Sequence, residues 1–326
     1  MDKEFLIEIK TPSEYDYIDG RVKVLETYIF TSEEISRLVT LSIDDLVGEF
    51  LGSHYKQFII REDASGVIQG IKGYYDSILN EMERYVSRGF VNSFFRSKKI
   101  FMRIKSWALG FDTPSPSPLY ERIRSFLQGG KEDFPEILRT TYIDLKNLKY
   151  NPILFNICLD IGHLSFLLDS AYRTRNQFIE GYFKLSMELN FEAILIRLLN
   201  LFEREEVNER LFLDVLSKMK VSALKFNLSS DILSFKDVDS FREFLRSEET
   251  SYGVSEGLRH SPDVYIKMKL ASYLEKGSSF NSGIEPVFIY LEKLSAEVDL
   301  LDELLEGKVY HLSDEQILKE IGLAYD

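Results

Sequence analysis

Residues 283–317 read GIEPVFIYLEKLSAEVDLLDELLEGKVYHLSDEQI. Apolar residues recur through this stretch at helical spacing and predict a helix with one apolar stripe, formed by Phe288, Leu291, Leu294, Val298, Leu301 and Leu305. Pro286 suits the first turn of that helix, because the N–H that proline lacks would have no helical partner there. Gly307 is expected to end the helix in a left-handed cap. Ser313 and Gln316 have the spacing of a capping box, so a second helix should follow and complete a helical hairpin.

Helix signals also dominate the rest of the chain. Patterns that start helices recur near the N-terminus, at Thr11–Glu14, Thr31–Glu34 and Ser42–Asp45. Apolar periodicity predicts longer helices at Val67–Arg88, ended by Gly89, at Ile153–Leu168, at Asn176–Glu188, at Phe191–Glu203, at Asp237–Arg246 and at Pro262–Glu275. No continuous strand alternation is found, so the predicted class is all-α.

Two composition changes suggest a division into three parts. Alternating proline and serine at Pro114–Pro118 cannot continue a helix and predicts a stiff linker. Helical regularity is lost again near residue 226. Each resulting part ends in a long helix followed by an apolar helix with interspersed charge, which is typical of an internal repeat. We therefore predict three helical repeats, at 1–113, 114–226 and 227–326.

Composition narrows the classes of partner. The 326-residue chain has a net charge of −13, which argues against nucleic acid and against direct adhesion to anionic lipid. The single Cys158 excludes an intramolecular disulfide and suits a reducing cytosol. The N-terminus does not resemble a signal peptide. The sequence contains no charge-free run of about 18 apolar residues, so no membrane span is predicted.

Candidate chemistry is sparse, and no cofactor is predicted. The histidines His54, His163, His260 and His311 lie far apart and outside any metal-binding motif. Asp299, Asp302, Glu303 and Glu306 share a helical face that could bind Mg²⁺, but no second aspartate-rich motif accompanies it, so a solvated face is favoured. Gly129-Gly130-Lys131 lacks the remainder of a phosphate-binding loop. The stripe of Arg96, Lys99 and Arg103 is interpreted as a surface for an acidic partner or as pairing within the chain, in preference to nucleic acid.

The order of features in the opening stretch carries a resemblance. Glu285-Pro286 is followed by Tyr290-Leu291, by Glu297 and an apolar run, by Gly307-Lys308 and by a short capped helix. This order resembles the C-terminal end of the C subunit of the bacterial and archaeal V/A-type ATP synthases, the counterpart of the d subunit of the eukaryotic vacuolar ATPase. Leu300 and Asp302 stand where that family often has asparagine and arginine.

Weaker matches extend along the chain. Tyr17, Arg21 and Val22 resemble the opening helix of the family, and Arg197 takes the place of an arginine in its second repeat. Asn190 and Ala193 replace the aspartate and asparagine that the second repeat often contains.

The resemblance implies a fold and a role. It implies three related helical repeats in a pseudo-threefold, funnel-shaped arrangement. The expected function is that of a non-catalytic component of the central stalk, peripheral on the cytoplasmic face of the cell membrane. It would couple the proteolipid rotor ring to the D and F subunits of the stalk in ion transport linked to ATP synthesis or hydrolysis. The expected interface or framework positions are Arg21, Arg197, Glu285, Glu297 and Lys308. Two alternatives stay open: a helical-repeat scaffold or adaptor unrelated to ATPases, and an α-helical enzyme that uses the carboxylate face.

Overall fold

A computed structural model describes residues 5–8, 15–108, 152–228, 231–246 and 262–322. The α-helices are α1 (Asp16–Glu26), α2 (Ser32–Val39), α3 (Ile43–Gly52), α4 (Ala64–Met82), α5 (Arg88–Val91), α6 (Ser97–Ala108), α7 (Pro152–Thr174), α8 (Gln177–Glu203), α9 (Glu209–Lys225), α10 (Val238–Arg246), α11 (Pro262–Glu275), α12 (Ile284–Val309) and α13 (Asp314–Glu320). Shorter turns are the 3₁₀ segments Lys56–Phe58, Asp231–Leu233 and Lys276–Ser279 and the π-helical turn Asn92–Arg96. No strand occurs in these ranges, so the predicted all-α class is confirmed for the part of the chain they cover.

The chain forms two compact units. The middle unit comprises Met1–Ile7 and Asn92–Ile266, and the split unit comprises Glu8–Val91 and Lys267–Asp326. In the middle unit α7 packs on α6, α8 and α9. In the split unit α12 packs on α1, α3 and α4, and α13 packs on α12 and α2.

The apolar stripe of α12 is the core of the split unit. Its six predicted members are all buried, at 0–6% exposure. Burying one such side chain stabilises a fold by roughly 1.5–3 kcal/mol, so the stripe is the main reason why α12 packs where it does. Pro286 lies in the first turn, as predicted. The N-cap is Gly283, whose φ of 110° favours glycine, and its N–H donates to Asp19 Oδ2 at 3.1 Å.

The predicted role of Gly307 as the helix cap is wrong. Helix α12 continues through Gly307 to Val309, and His311 adopts the left-handed conformation instead, with φ 59°. A Cβ atom on Gly307 would lie 2.8 Å from Ile317 Cγ1. Gly307 is therefore needed because α13 packs closely on α12 at this point, and not because of its own backbone conformation.

The capping predictions are confirmed where the structure describes them. Thr31 and Ser313 each form a complete capping box, with Glu34 and Gln316 respectively. Ser42 accepts a hydrogen bond from the Asp45 N–H. The pattern at Thr11–Glu14 lies outside the described residues.

Several predicted helix boundaries are wrong. The helix expected to end at Leu168 continues to Thr174. The helix expected to reach Arg88 ends at Met82, and Gly89 lies inside the short α5 instead of breaking a helix. The two helices expected on either side of residue 190 are one continuous helix of 27 residues, α8. Helix α8 continues through Asn190, whose side-chain amide donates to the Ser186 carbonyl one turn earlier, and the flanking Leu189 and Phe191 are buried.

The division into repeats 1–113, 114–226 and 227–326 stays a prediction. Its first boundary and the linker Pro114–Pro118 lie outside the described residues. Among the helices that the structure covers, none combines the length and apolarity needed to cross a bilayer.

Candidate functional site

Glu297 lies in the interior of the split unit. It is one turn of α12 from Leu294 and from Leu301, so the helix that buries these leucines also buries the carboxyl group. Glu297 is only 6% exposed. A carboxyl group in such a position destabilises the fold unless hydrogen bonds replace its lost hydration.

Two donors from distant parts of the chain meet this carboxyl group. Glu297 Oε2 accepts the Phe30 N–H at 2.7 Å, and Glu297 Oε1 accepts the Tyr55 hydroxyl. Phe30 immediately precedes Thr31, the N-cap of α2, and Tyr55 immediately precedes the turn Lys56–Phe58. One carboxyl group thereby joins α12 to the start of α2 and to the segment that follows α3.

Burial raises the pKa of Glu297 to about 7. The hydrogen bonds from Tyr55 and Phe30 act in the opposite direction, and the negative charge of Glu34 adds to the increase. Burial and the neighbouring Glu297 also raise the pKa of Tyr55, so its hydroxyl stays protonated and acts as the donor. The Glu297 carboxyl group therefore changes its charge near neutral pH.

Aromatic rings surround Tyr55 and restrict its position. Its ring centroid lies 4.0 Å from that of His54, 5.1 Å from that of Tyr74 and 5.9 Å from that of Phe50. Burial lowers the pKa of the half-buried His54. Because rings of this size fill space and have few rotamers, they hold the Tyr55 hydroxyl toward Glu297.

An open groove of about 720 Å³ lies in the same unit, between α1, α4 and the segment after α3. Its lining comprises Arg21, Leu25, Tyr28, Ser53, His54, Lys56, Gln57, Phe58, Tyr74, Ser77, Ile78 and Glu81. Across it, Arg21 Nε and Nη2 donate to the two oxygens of Glu81 at 2.9 and 3.4 Å. The hydrogen bond to Glu81 is the main cause of the raised pKa of Arg21.

The other sequence-predicted positions are not gathered into one site. Lys308 Nζ contacts Asp314 at 2.7 Å, and Arg197 Nη2 contacts Asp263 at 2.7 Å on the middle unit. Glu285 is half-buried in the first turn of α12, where the helix dipole favours a negative charge. Arg21, Arg197, Glu297 and Lys308 thus each have a partner within the chain. The interface or framework role expected of the five positions stays a prediction.

The sequence did not single out Asp19 or the partners of Glu297. Asp19 is 4% exposed, and burial raises its pKa while its Oδ2 accepts the Gly283 N–H. In the sequence, the only local sign that Asp19 is buried was that a carboxylate occupies an apolar position of the helix. Phe30 and Tyr55 were not predictable as its partners, because they are 267 and 242 residues away along the chain.

Two carboxylates of the predicted acidic face form ion pairs. Asp302 pairs with Lys72, and Glu303 pairs with Lys267, each at 2.7 Å. Within the described ranges no three His, Cys, Asp or Glu side chains are grouped as metal ligands. Gly129-Gly130-Lys131 and His260 lie outside those ranges.

The pairing of Ser97 with His163 in the middle unit has the composition of a nucleophile and its base. Ser97 Oγ donates to the Ser93 carbonyl at 2.7 Å and lies 2.9 Å from His163 Nε2. Because the hydroxyl proton is already used, Nε2 must be the donor in the second bond. The imidazole therefore does not activate this hydroxyl in the arrangement observed.

Comparison with known proteins does not assign the chain to a family. No protein-family model matches the sequence, and no curated protein matches it.

Proposed function

We propose that this chain is a non-catalytic component of the central stalk of a rotary V/A-type ATPase or ATP synthase. In this role it couples the proteolipid rotor ring to the D and F subunits of the stalk, and it binds peripherally at the cytoplasmic face of the membrane. The proposal starts from the resemblance at residues 283–317. One structural observation supports it: the residues that carry this resemblance are the ones that hold the split unit together.

Each part of the resembling pattern has a physical task in the split unit. Glu285-Pro286 forms the first turn of α12, and Glu297 binds Phe30 and Tyr55. Gly307 admits Ile317, and Lys308 pairs with Asp314 across the hairpin. The residues of the pattern therefore have structural roles in this unit. Because the pattern resembles that of the family, it supports a shared fold for the unit.

Torque transmission requires a stiff body and no reactive group. Close-packed helices have low compressibility and transmit strain, and buried hydrogen bonds between distant segments resist their separation. The α12 core and its carboxyl-centred hydrogen bonds meet this requirement. The three-repeat, funnel-shaped arrangement belongs to the same proposal.

Membrane fractionation followed by reconstitution tests the proposal. The chain is expected to sediment with membrane ATPase activity and to be released by washing at low ionic strength with EDTA. Stripped membranes should hydrolyse ATP without pumping ions, and adding back the purified chain should restore pumping. An acidic helical protein of similar size serves as the control for addition.

Two outcomes would contradict the coupling role. One is a chain that stays unbound while the ATPase is intact and coupled without it. The other is a chain found in a complex that contains no ATPase components, which would favour the helical-repeat scaffold or adaptor.

A further inference from the structure

The turn between α12 and α13 exposes apolar side chains. Tyr310 is 75% exposed, Val309 is 44% exposed and Leu312 is 39% exposed. Single exposed apolar residues are common on proteins, but three within four consecutive residues form a patch. We call the segment Val309–Gln316 the hairpin tip.

Hydrogen bonds and an ion pair order the backbone of the hairpin tip. The Leu312 N–H donates to the Gly307 carbonyl at 2.9 Å, and the His311 N–H donates to the Lys308 carbonyl at 3.1 Å. The capping box of Ser313 and the ion pair of Lys308 with Asp314 hold the other side of the turn. Because the backbone is already ordered, a partner that binds here loses little free energy in ordering it.

The surroundings of the hairpin tip are acidic. Glu306, Glu315 and Glu320 are exposed on α12 and α13, and Glu33 is exposed on α2, which packs on α13. Of the nearby lysines, Lys308 is neutralised by Asp314, which leaves Lys319 as the opposing charge on α13. The helices that flank the apolar patch therefore carry an excess of exposed negative charge.

We propose that the hairpin tip is a docking surface for a basic amphipathic helix of another protein. Apolar side chains of that helix pack on Tyr310 and Leu312, and its lysines or arginines face Glu306 and Glu315. Exposed tyrosine is enriched among the residues that dominate binding energy, and rim charges chiefly set the association rate and its salt dependence. A second copy of this chain is disfavoured as the occupant, because it would bring two acidic rims together.

This inference does not rest on the proposed function, since it uses only the exposure, rigidity and charge of the hairpin tip. A patch of this size fits a weak, transient complex with a Kd of about 1–100 µM. The probe is a labelled helical peptide of lysine and leucine, with leucines on one face, whose binding is followed by fluorescence anisotropy. A peptide with glutamate in place of lysine is the charge control.

The variant Y310S/L312S is expected to weaken binding of the basic peptide by about tenfold or more. The matched control is V221S/L224S, which removes two exposed apolar side chains of α9, at 65% and 68% exposure, and should change the affinity by less than about twofold. The variant E306Q/E315Q should weaken binding and reduce its salt dependence. Thermal unfolding of each variant verifies that these surface changes leave the fold intact.

Several results would overturn the inference. One is that Y310S/L312S binds the basic peptide as tightly as the wild-type chain does. Another is that V221S/L224S loses as much affinity as Y310S/L312S. A third is that the wild-type chain binds the acidic peptide as tightly as the basic one. Concentration-dependent dimerisation that Y310S/L312S abolishes would identify a second copy as the occupant instead.

Discussion

Glu297 in the split unit is a buried titratable side chain and His163 in the middle unit is a partly buried one, and burial moves their pKa values in opposite directions. The pKa of the Glu297 carboxyl group is raised to about 7, with burial as the main cause. The pKa of the partly buried His163 imidazole is lowered to about 3, mainly by desolvation and further by the positive charges of Lys105 and Lys98. In each case the protein favours the neutral form.

The two units are therefore expected to respond to pH with opposite signs. Because the folded-state pKa of Glu297 exceeds its unfolded value of 4.5, its contribution to stability is complete below pH 4.5 and is lost as the pH rises toward 7. Because the folded-state pKa of His163 is below its unfolded value of 6.5, its contribution is complete above pH 6.5 and is lost as the pH falls toward 3.

The largest expected effect comes from removing the Glu297 carboxyl group. Glu297→Ala leaves the Phe30 N–H and the Tyr55 hydroxyl buried without an acceptor, and each loss costs about 1–3 kcal/mol. With the cavity added, we expect the free energy of unfolding to fall by about 3–5 kcal/mol in urea denaturation. His163→Ala should cost less, about 1–2 kcal/mol with its cavity included, because His163 is partly exposed and Ser97 keeps its bond to the Ser93 carbonyl. A greater cost for His163→Ala would reverse the comparison.

Neutral replacements should separate the two pH responses. As the pH rises from about 5 to about 8, the free energy of unfolding of wild type should fall by up to about 3 kcal/mol relative to that of Glu297→Gln. The reason is that only wild type must keep a carboxylate buried. Between about pH 6.5 and pH 4.5, wild type should lose stability relative to His163→Gln as the pH falls, by about 1–2 kcal/mol after allowance for partial exposure. The measurement is the difference in Tm between each variant and wild type across this range. Parallel slopes for the two variants would contradict the opposite assignments.

A smaller effect distinguishes ion pairs on the surfaces of the two units. Arg21 and Glu81 of the split unit have side chains 37% and 28% exposed and form two hydrogen bonds, whereas Arg197 and Asp263 of the middle unit are 51% and 72% exposed and form one. Double-mutant cycles with alanine should give a coupling of about 0.5–1 kcal/mol for Arg21–Glu81 and below about 0.3 kcal/mol for Arg197–Asp263. Both couplings should shrink in high salt. Equal coupling energies would show that solvent exposure does not determine how strongly these pairs interact.

Local rules predicted the parts of the fold that depend on neighbours in sequence. The apolar stripe of α12 and the capping boxes at Thr31 and Ser313 follow from side chains within one or two turns of each other, and all were found. The same rules were wrong at Gly307, where the close approach of α13 requires the glycine. They also wrongly divided α8 near residue 190, where the helix is continuous.

The candidate site was predicted only as a single residue. Glu297 was selected by a resemblance in sequence order, and its burial between Leu294 and Leu301 was not predicted. Its donors could not be inferred, because spacing carries no information about contacts between segments joined only by the tertiary fold. The raised pKa of Glu297 comes mainly from burial in the tertiary fold, which the sequence did not predict either.

The split unit also sets an order of events during synthesis. The Phe30 amide is made 267 residues before the carboxyl group that binds it, and α1 and α4 are complete long before α12. Until translation passes Val309, the faces of α1 and α4 that pack on α12 remain open to water and to chaperones. Chains that terminate within the middle unit would keep those faces uncovered, so they should be strong substrates for quality-control proteases.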